Sequence, residues 1–319
     1  MTVLRWPFCI LALLLFGGCT SYLPLDTISL VDGATYRIGI TRNEQDEFQS
    51  IVTRQTATCE QTQVIHGFRA DCLAVSANGD FLALGADRLR VSGRYYNDSS
   101  VLLLNASTLE MLAQWTIPGV RGAGGYPEAV TRFDAIAISP DGQTVATYYW
   151  KPPGWKPVVA LWGARTGELL KEFDSPEPSG PAQSTIYSTW ANSLTFSADG
   201  GQLAAARMTA SKRSEDGPAV GVIHIWRIED SRRTDLPLAP NQVAWDLCFS
   251  ESGTGLAYWC WNGKDTSNAR IFVLNVPDGR VLAERLVSER VMGIRRSAGA
   301  FDALLRSGVW TSIAAPVAK

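Results

Sequence analysis

The sequence has little histidine, no excess of basic charge and no two cysteines separated by only two residues. Only 2 of its 319 residues are His, which leaves little material for a histidine-based metal site or a histidine-centred triad. Lys and Arg total 29 against 31 Asp and Glu, for a net charge of −2, which argues against binding along a nucleic-acid backbone. The absence of CxxC removes support for zinc ribbons and thioredoxin-like redox motifs. We therefore expect no metal, no cofactor and no nucleic-acid partner.

Charged side chains are also scarce, whereas apolar ones are plentiful. Charged residues make up 19% of the chain, below the usual quarter or so, and 46% of the residues are hydrophobic. Tryptophan is common, with 11 residues. A chain of this composition can bury a large core, so intrinsic disorder is excluded.

The first residues have the layout of an export signal. Arg5 supplies a positive charge, an apolar run extends from Trp6 to Phe16, and Gly17, Gly18 and Cys19 follow. This run is shorter than the ~20 apolar residues that a membrane-spanning helix needs, and no later run approaches that length. The segment therefore predicts secretion rather than a transmembrane anchor.

The Gly-Gly-Cys sequence resembles a bacterial lipobox, in which a peptidase cuts before the cysteine and the cysteine carries the lipid. Phe16 departs from the family pattern, which has Leu three positions before the cysteine. Thr20, rather than Asp, follows the cysteine, and in enteric-type sorting the absence of Asp there implies the outer membrane. The resemblance implies removal of residues 1–18, acylation of Cys19 and a short tether over residues 19–26. It also implies a bacterial envelope protein that faces the periplasm from the outer membrane. The alternative is an ordinary secretory signal in which Cys19 is incidental.

Export would place the remaining cysteines in an oxidising compartment. Four would be left after cleavage and acylation, and four cysteines allow three pairings: Cys59, Cys72, Cys248 and Cys260. Proximity in sequence favours disulfides between the first two and between the last two. The alternative is free buried thiols that behave as small apolar residues.

A short pattern recurs four times: an apolar, a small and an apolar residue, then Ser, two polar residues and Gly. The copies are Leu73–Gly79, Ile136–Gly142, Leu194–Gly200 and Leu247–Gly253. A second apolar stretch follows each copy, which predicts a β-hairpin whose turn glycine adopts a positive φ.

Further strands follow each hairpin. The third strands are Val101–Asn105, Val158–Trp162, Val222–Trp226 and Ile271–Asn275, and weaker fourth strands include Glu168–Phe173 and Arg280–Glu284. Four antiparallel strands per unit, repeated along the chain, predict an all-β propeller.

The repeats resemble those of the WD40 family over roughly residues 60–290. The closest matches are the Ser-Pro-Asp-Gly turn at 139–142 and the Leu-Trp-(x)3-Thr-Gly sequence at 161–167. Trp162 and Trp226 occupy the position of the family tryptophan, but Gly and Arg follow them in place of Asp. The resemblance implies a divergent bacterial propeller whose blades are held by apolar packing rather than by a His/Asp hydrogen-bond network.

Six marks in the sequence favour six blades. The four turn glycines stand at positions 79, 142, 200 and 253, and Gly33 and Gly299 extend the series on either side. Five blades is the alternative, in which the N-terminal stretch only completes the last blade. We predict one domain over residues 27–319, with its two ends in contact because closure removes exposed sheet edges.

The longest connections lie between second and third strands and between units. The propeller resemblance implies that both sets line one face around the central channel. Their Tyr and Trp rings suit stacking on sugars or holding peptide side chains, although rings at loop stems can also simply cap blades. The predicted partner-binding residues are Tyr95, Tyr96, Tyr126, Trp150, Trp155, Trp190, Trp259, Trp261, Arg94 and Arg121.

Signs of catalysis are weak. The chain has no GxSxG nucleophile motif, and His224 lies in the middle of an apolar strand. Four acids could approach the channel, but no pattern pairs them: Asp98, Asp134, Asp246 and Asp265. We therefore predict a non-catalytic, lipid-anchored scaffold that binds another envelope protein. The alternatives are binding of a glycan or peptidoglycan fragment through the aromatic loops and, less favoured, hydrolysis in the channel.

Overall fold

A computed structural model of the protein describes eleven ranges of the chain. They are residues 28–31, 34–44, 48–88, 98–117, 133–151, 156–174, 186–211, 220–240, 242–262, 265–297 and 299–314. Within these ranges the regular structure is entirely β-strand. None of the described residues forms a helix long and apolar enough to cross a membrane.

The strands form six antiparallel sheets, which we call blades 1 to 6, and each blade uses strands that follow one another in the chain. Blade 1 contains β1 (Ile28–Val31), β2 (Ala34–Arg42), β3 (Phe48–Gln55) and β4 (Glu60–His66). Blade 2 contains β5 (Arg69–Val75), β6 (Phe81–Arg88), β7 (Asp98–Asn105) and β8 (Met111–Ile117). Blade 3 contains β9 (Phe133–Ile138), β10 (Thr144–Lys151), β11 (Lys156–Gly163) and β12 (Leu169–Asp174).

The second half of the chain repeats this arrangement until the last blade, of which the structure describes three strands. Blade 4 contains β13 (Ile186–Phe196), β14 (Gln202–Ser211), β15 (Val220–Arg227) and β16 (Arg233–Pro237). Blade 5 contains β17 (Leu247–Phe249), β18 (Gly255–Asn262), β19 (Asp265–Asn275) and β20 (Val281–Val287). Blade 6 contains β21 (Val291–Ser297), β22 (Ala300–Leu305) and β23 (Trp310–Ala314).

The first strands of the blades form a ring. β5 contacts β1 and β9, β13 contacts β9 and β17, and β21 contacts β17 and β1. Six sheets around a ring of inner strands make a six-bladed β-propeller, as predicted. The alternative of five blades is wrong, because the N-terminal stretch forms a four-stranded sheet of its own.

The repeated sequence pattern is explained by one turn. In blade 3, the Ser139 hydroxyl donates to Asp141 Oδ1 (2.5 Å) and accepts from the Thr144 N–H (2.9 Å), while Gly142 has a φ of 70°. The Ser139 hydrogen bond also holds the pKa of Asp141 below its usual range. The serines of blades 2, 4 and 5 accept the corresponding N–H bond: Ser76, Ser197 and Ser250. The serine and glycine of each repeat are therefore turn residues rather than site residues.

Apolar packing holds neighbouring blades together, as predicted. Five clusters of buried residues join blades 1 and 2, 2 and 3, 3 and 4, 4 and 5, and 5 and 6. Tyr36 and Leu84 belong to the first of these clusters, and Ile271 and Phe301 to the last. Among the described residues no comparable cluster joins blade 6 to blade 1, where the inner strands β1 and β21 meet. The ends therefore meet by contact of inner strands, and no described sheet combines strands from both ends.

The possible disulfides do not form in the structure, because the four cysteines that it describes are free thiols. Cys59 lies in the exposed turn after β3, whereas Cys72 is buried between blades 2 and 3. Cys248 pairs with Ala257 and so faces blade 6, whereas Cys260 packs in the cluster toward blade 4. Side chains that point from opposite faces of one sheet cannot bridge. The alternative of free thiols, buried for Cys72 and Cys260, describes the structure.

Candidate functional site

One end of blade 5 concentrates tryptophan. Because each blade repeats the same order of antiparallel strands around the ring, the starts of first strands and the ends of second strands share one end of the propeller. We call this end the upper face. Trp245 precedes β17, and Trp259 and Trp261 lie near the end of β18. We call these three residues the tryptophan cluster.

The three rings pack directly against one another. The centroids of Trp245 and Trp261 are 4.5 Å apart, and those of Trp245 and Trp259 are 6.1 Å apart with the planes at 23°. Trp259 and Trp261 meet edge to face at 5.8 Å and 69°. These separations lie in the range in which aromatic pairs attract beyond their buried area.

Strand periodicity explains why the rings converge. Trp259 and Trp261 are two residues apart in β18, so both point from the same face of the blade. That face packs on blade 6, because Trp259 shares a buried cluster with Phe301. The backbone N–H of Trp245 donates to the backbone carbonyl oxygen of Trp259 (2.9 Å), which brings the third ring beside the other two. Trp245 and Trp261 are partly buried, so the cluster reaches the surface.

Two hydrogen-bond donors in the tryptophan cluster have no acceptor. The Nε1 atoms of Trp259 and Trp261 are buried and make no hydrogen bond in the described structure. A buried polar group without a partner costs about 1–3 kcal/mol, so such groups call for an explanation. The cluster therefore presents flat apolar rings at the surface, and its two indole donors without an acceptor lie buried beneath those rings.

Asp246 lies beside the tryptophan cluster and ties three blades together. Its Oδ1 accepts from the Leu247 N–H (2.9 Å) and from the Ser193 hydroxyl (3.3 Å), and its Oδ2 accepts from the Ile294 N–H (2.9 Å). Burial raises the pKa of Asp246 to about 6, and the hydrogen bonds act in the opposite direction. Both oxygens are used by the protein's own groups, so Asp246 is a structural residue and not an exposed general base.

The remaining candidates for chemistry are also accounted for by packing. His224 is 3% exposed and its Nδ1 lies 2.7 Å from Asp235 Oδ1, and burial lowers the pKa of this histidine. Burial raises the pKa of Cys248 to about 12 and that of Cys260 to about 11, so neither thiol is activated. Within the described ranges, no group of three or more His, Cys, Asp or Glu is arranged to hold a metal ion.

The structure brings two of the predicted partner-binding residues together, namely Trp259 and Trp261. Trp150 lies near the end of β10 and Trp190 lies in β13, and the side chains of both are outside the described part. Sequence reasoning missed Trp245, whose place just before β17 in the same blade was the available signal. Several predictions fall entirely outside the described residues: Cys19, Tyr95, Tyr96, Tyr126, Trp155, Arg94 and Arg121.

Two of the four channel acids can be placed with their side chains. Asp134 lies in β9 and is partly buried, and Asp246 is bonded as described above. The side chains of Asp98 and Asp265 lie outside the described part. Of the two acids that can be placed, Asp246 already accepts three hydrogen bonds from the protein itself.

Comparisons with known proteins find similar solved structures but no matching family. The sequence matches no known family profile and no curated protein. The acylaminoacyl peptidase of Pyrococcus horikoshii is similar at 12% identity and a TM-score of 0.48, over 92% of this chain and 47% of the peptidase. This chain thus spans about half the length of that enzyme.

Two propeller domains resemble the chain over nearly their whole length. The trilobed protease propeller of Pyrococcus furiosus, described as having an open velcro topology, is 11% identical with a TM-score of 0.46, covering 92% of this chain and 93% of that one. The Cps50 (Swd1) propeller of Myceliophteria thermophila is 12% identical with a TM-score of 0.44, covering 86% and 95%. At these identities the likeness is one of fold.

Proposed function

We propose that the protein is a non-catalytic scaffold that binds another protein through its upper face, with the tryptophan cluster as the anchor. The observation that carries this proposal is the packing of three tryptophan rings into one cluster, of which Trp245 and Trp261 are partly exposed. Tryptophan is enriched among the few residues that dominate protein interfaces, because it combines a large apolar face with a donor.

The rest of the fold would hold this anchor in place. Apolar clusters fix blade 5 against blades 4 and 6, and Asp246 bonds to backbone or side-chain groups of all three. A surface that is already ordered loses little conformational entropy on binding. Rigid display of the tryptophan cluster is thus the mechanism that we propose.

The proposal includes a lipid anchor at Cys19 in a bacterial envelope, on the outer membrane facing the periplasm. Its support is the Gly-Gly-Cys sequence that follows the apolar run. Acyl chains contribute about 0.8 kcal/mol per buried CH₂, and confinement to a membrane raises the effective concentration of membrane partners. Metabolic labelling with a fatty acid should mark the wild type and the Cys9→Ser control but not Cys19→Ser. Label that persists in Cys19→Ser would contradict the anchor.

The protein partner can be sought by cross-linking in intact cells, followed by capture from solubilised envelope and mass spectrometry. We expect one dominant envelope protein, whose recovery falls in a Trp259→Phe/Trp261→Phe double variant, which keeps a smaller aromatic ring at each position and loses both indole N–H groups. Trp115→Phe is the matched control, since Trp115 Nε1 already donates to the Ala164 carbonyl (3.2 Å). Equal recovery from the double variant and the control would refute the role of the tryptophan cluster.

A second candidate function is binding of a glycan or peptidoglycan fragment at the same rings. Stacked indoles with N–H donors also suit sugars, which present apolar faces and hydroxyl acceptors. Intrinsic fluorescence titrated with an oligosaccharide panel tests this directly. A sugar-dependent change that Trp261→Ala abolishes would favour the glycan, whereas no response across the panel would favour the protein partner.

A further inference from the structure

Among the described residues, blade 6 has three strands. The other five blades each carry a fourth strand on the outside, whereas the described strands of blade 6 stop at β23, its third strand. The position outside β23 is therefore the place that β4, β8, β12, β16 and β20 occupy in the other blades. An exposed third strand is a ready template for an added strand.

The hydrogen-bond pattern shows which backbone groups of β23 point outward. The Leu305 N–H donates to the Val309 carbonyl oxygen (2.9 Å), which marks a hydrogen-bonded pair of residues between β22 and β23. Bonded and non-bonded pairs alternate in an antiparallel ladder. The N–H and C=O groups directed away from β22 are thus those of Trp310, Ser312 and Ala314. One is contacted already, because the Arg285 guanidinium of β20 donates to the Ser312 carbonyl oxygen.

Among the described residues, three guanidinium groups lie around this edge against two carboxylates, those of Asp302 and of Glu289, which accepts the Ser307 N–H (3.0 Å). Arg285 reaches it from blade 5, and Arg306 is exposed in the turn before β23. Arg295 lies over the Trp310 ring at 3.9 Å and is 3.5 Å from Asp302. The Asp302 carboxylate also accepts the Ser312 hydroxyl at its other oxygen (2.5 Å), so its charge is shared within the blade. The edge is therefore suited to acidic side chains.

Apart from the Arg285 side chain, the described residues of neighbouring blades leave the edge uncovered, and Ser312 and Ala314 are exposed. Strands β22 and β23 contribute Phe301, Ala303 and Ile313 to the apolar cluster with blade 5. Arg295, Asp302 and Ser312 belong to the opposite face, toward blade 1, since facing residues of paired strands share a face. Val309, next to the edge, is 57% exposed. A segment that paired with β23 would thus also contact blade 6 side chains that now face solvent.

We propose that β23 binds an extended, acidic segment of another protein, which becomes the fourth strand of blade 6. Main-chain hydrogen bonds to Trp310, Ser312 and Ala314 would supply affinity, and Arg285, Arg295 and Arg306 would select acidic side chains. This surface is separate from the tryptophan cluster, so the failure of either proposal leaves the other standing.

The test uses the purified protein and two labelled synthetic peptides, one alternating Glu with Val and the other alternating Lys with Val. Fluorescence anisotropy measures binding. Ser312→Pro removes an outward N–H while the ladder to β22 keeps its bonds, because proline is tolerated at that side of an edge strand. Ser312→Ala is the matched control, which loses the hydroxyl and keeps the N–H. Hydrogen exchange of the β23 amides, with and without peptide, is the second measurement.

We expect the Glu peptide to bind the wild type, Ser312→Ala and Trp261→Phe alike, and to bind Ser312→Pro about tenfold more weakly. It should slow exchange at Trp310, Ser312 and Ala314. Arg285→Glu, which leaves the strand backbone intact, should also weaken it and so decides the matter if the proline variant misfolds. Equal binding of the Lys peptide, undiminished binding to Arg285→Glu, or no binding of the Glu peptide would overturn the proposal.

Discussion

Asp246 should make this propeller less stable as the pH rises from about 4 to about 7. Its pKa is raised from 3.8 to about 6 by burial. The folded protein therefore holds the proton more tightly than the unfolded chain does. A folded pKa above the unfolded value gives stability that is complete below the unfolded pKa and is lost as the pH rises through the folded pKa. The shift from 3.8 to about 6 corresponds to a loss of ~3 kcal/mol of unfolding free energy.

Other titrating groups also change the free energy of unfolding with pH, and their contributions cancel when the wild type is compared with a variant that keeps them. The pKa values of Asp141, Asp199 and Asp278 are lowered by hydrogen bonds, so their contributions are lost at more acidic pH. Burial lowers the pKa of His224, so this histidine makes stability rise with pH as it loses its proton, opposite to Asp246. An Asp246→Asn variant keeps all of these groups and loses only the titrating carboxyl. The quantity to measure is therefore the wild-type free energy minus that of the variant.

Urea unfolding at several pH values between 4 and 7 gives this difference. We expect the wild type to lose ~3 kcal/mol relative to Asp246→Asn across that range. Glu251→Gln, a change at an exposed turn of the same blade, is the control and should follow the wild type. A wild-type-minus-variant difference that stays constant, or that rises with pH, would show that the carboxyl is not held protonated by burial.

Three further outcomes follow from the packing. Gly142 has a φ of 70°, and a β-carbon there would lie 2.2 Å from a phenylalanine ring of blade 2. Gly142→Ala should therefore lower the thermal midpoint. Gly39→Ala is the control and should lower the midpoint less, because its β-carbon would have its nearest contact at 3.8 Å. Phe301→Ala should lower the free energy of unfolding in urea by about 3–5 kcal/mol, because this 1% exposed ring joins blades 5 and 6. A decrease no larger than that of Val309→Ala, a change at an exposed residue, would be inconsistent with this packing. Cys59 should be alkylated in the folded protein, and mass spectrometry that finds it in a disulfide would contradict the free thiol.

The fold was predictable because its information is local. A turn such as Ser139 to Gly142 is specified by residues within the turn itself, through a serine hydroxyl, an acidic acceptor and a glycine at positive φ. Repetition of that turn in blades 2 to 5 sets the number of hairpins, and apolar alternation sets the strands between them. The first and last blades carry weaker marks, yet Gly299 still adopts a φ of 68° between β21 and β22.

The candidate site was predicted only in part, because it depends on which residues meet across strands and blades. Trp259 and Trp261 could be proposed from residue type alone. Their convergence with Trp245 depends on the face of β18 that packs on blade 6. Closeness in sequence can also mislead, because Cys248 and Cys260 are close in sequence but lie on opposite faces of one blade.

Local sequence patterns were enough to predict the β-hairpin repeat, the six blades and the apolar packing between blades, since turn chemistry and strand alternation act over a few residues. Three features could be seen only once the chain was folded: Asp246 joins three blades, two indole donors lack acceptors, and the described strands of blade 6 end with β23. These features arise from contacts between distant segments. Their energies depend on distance, burial and strand register, which no local pattern specifies.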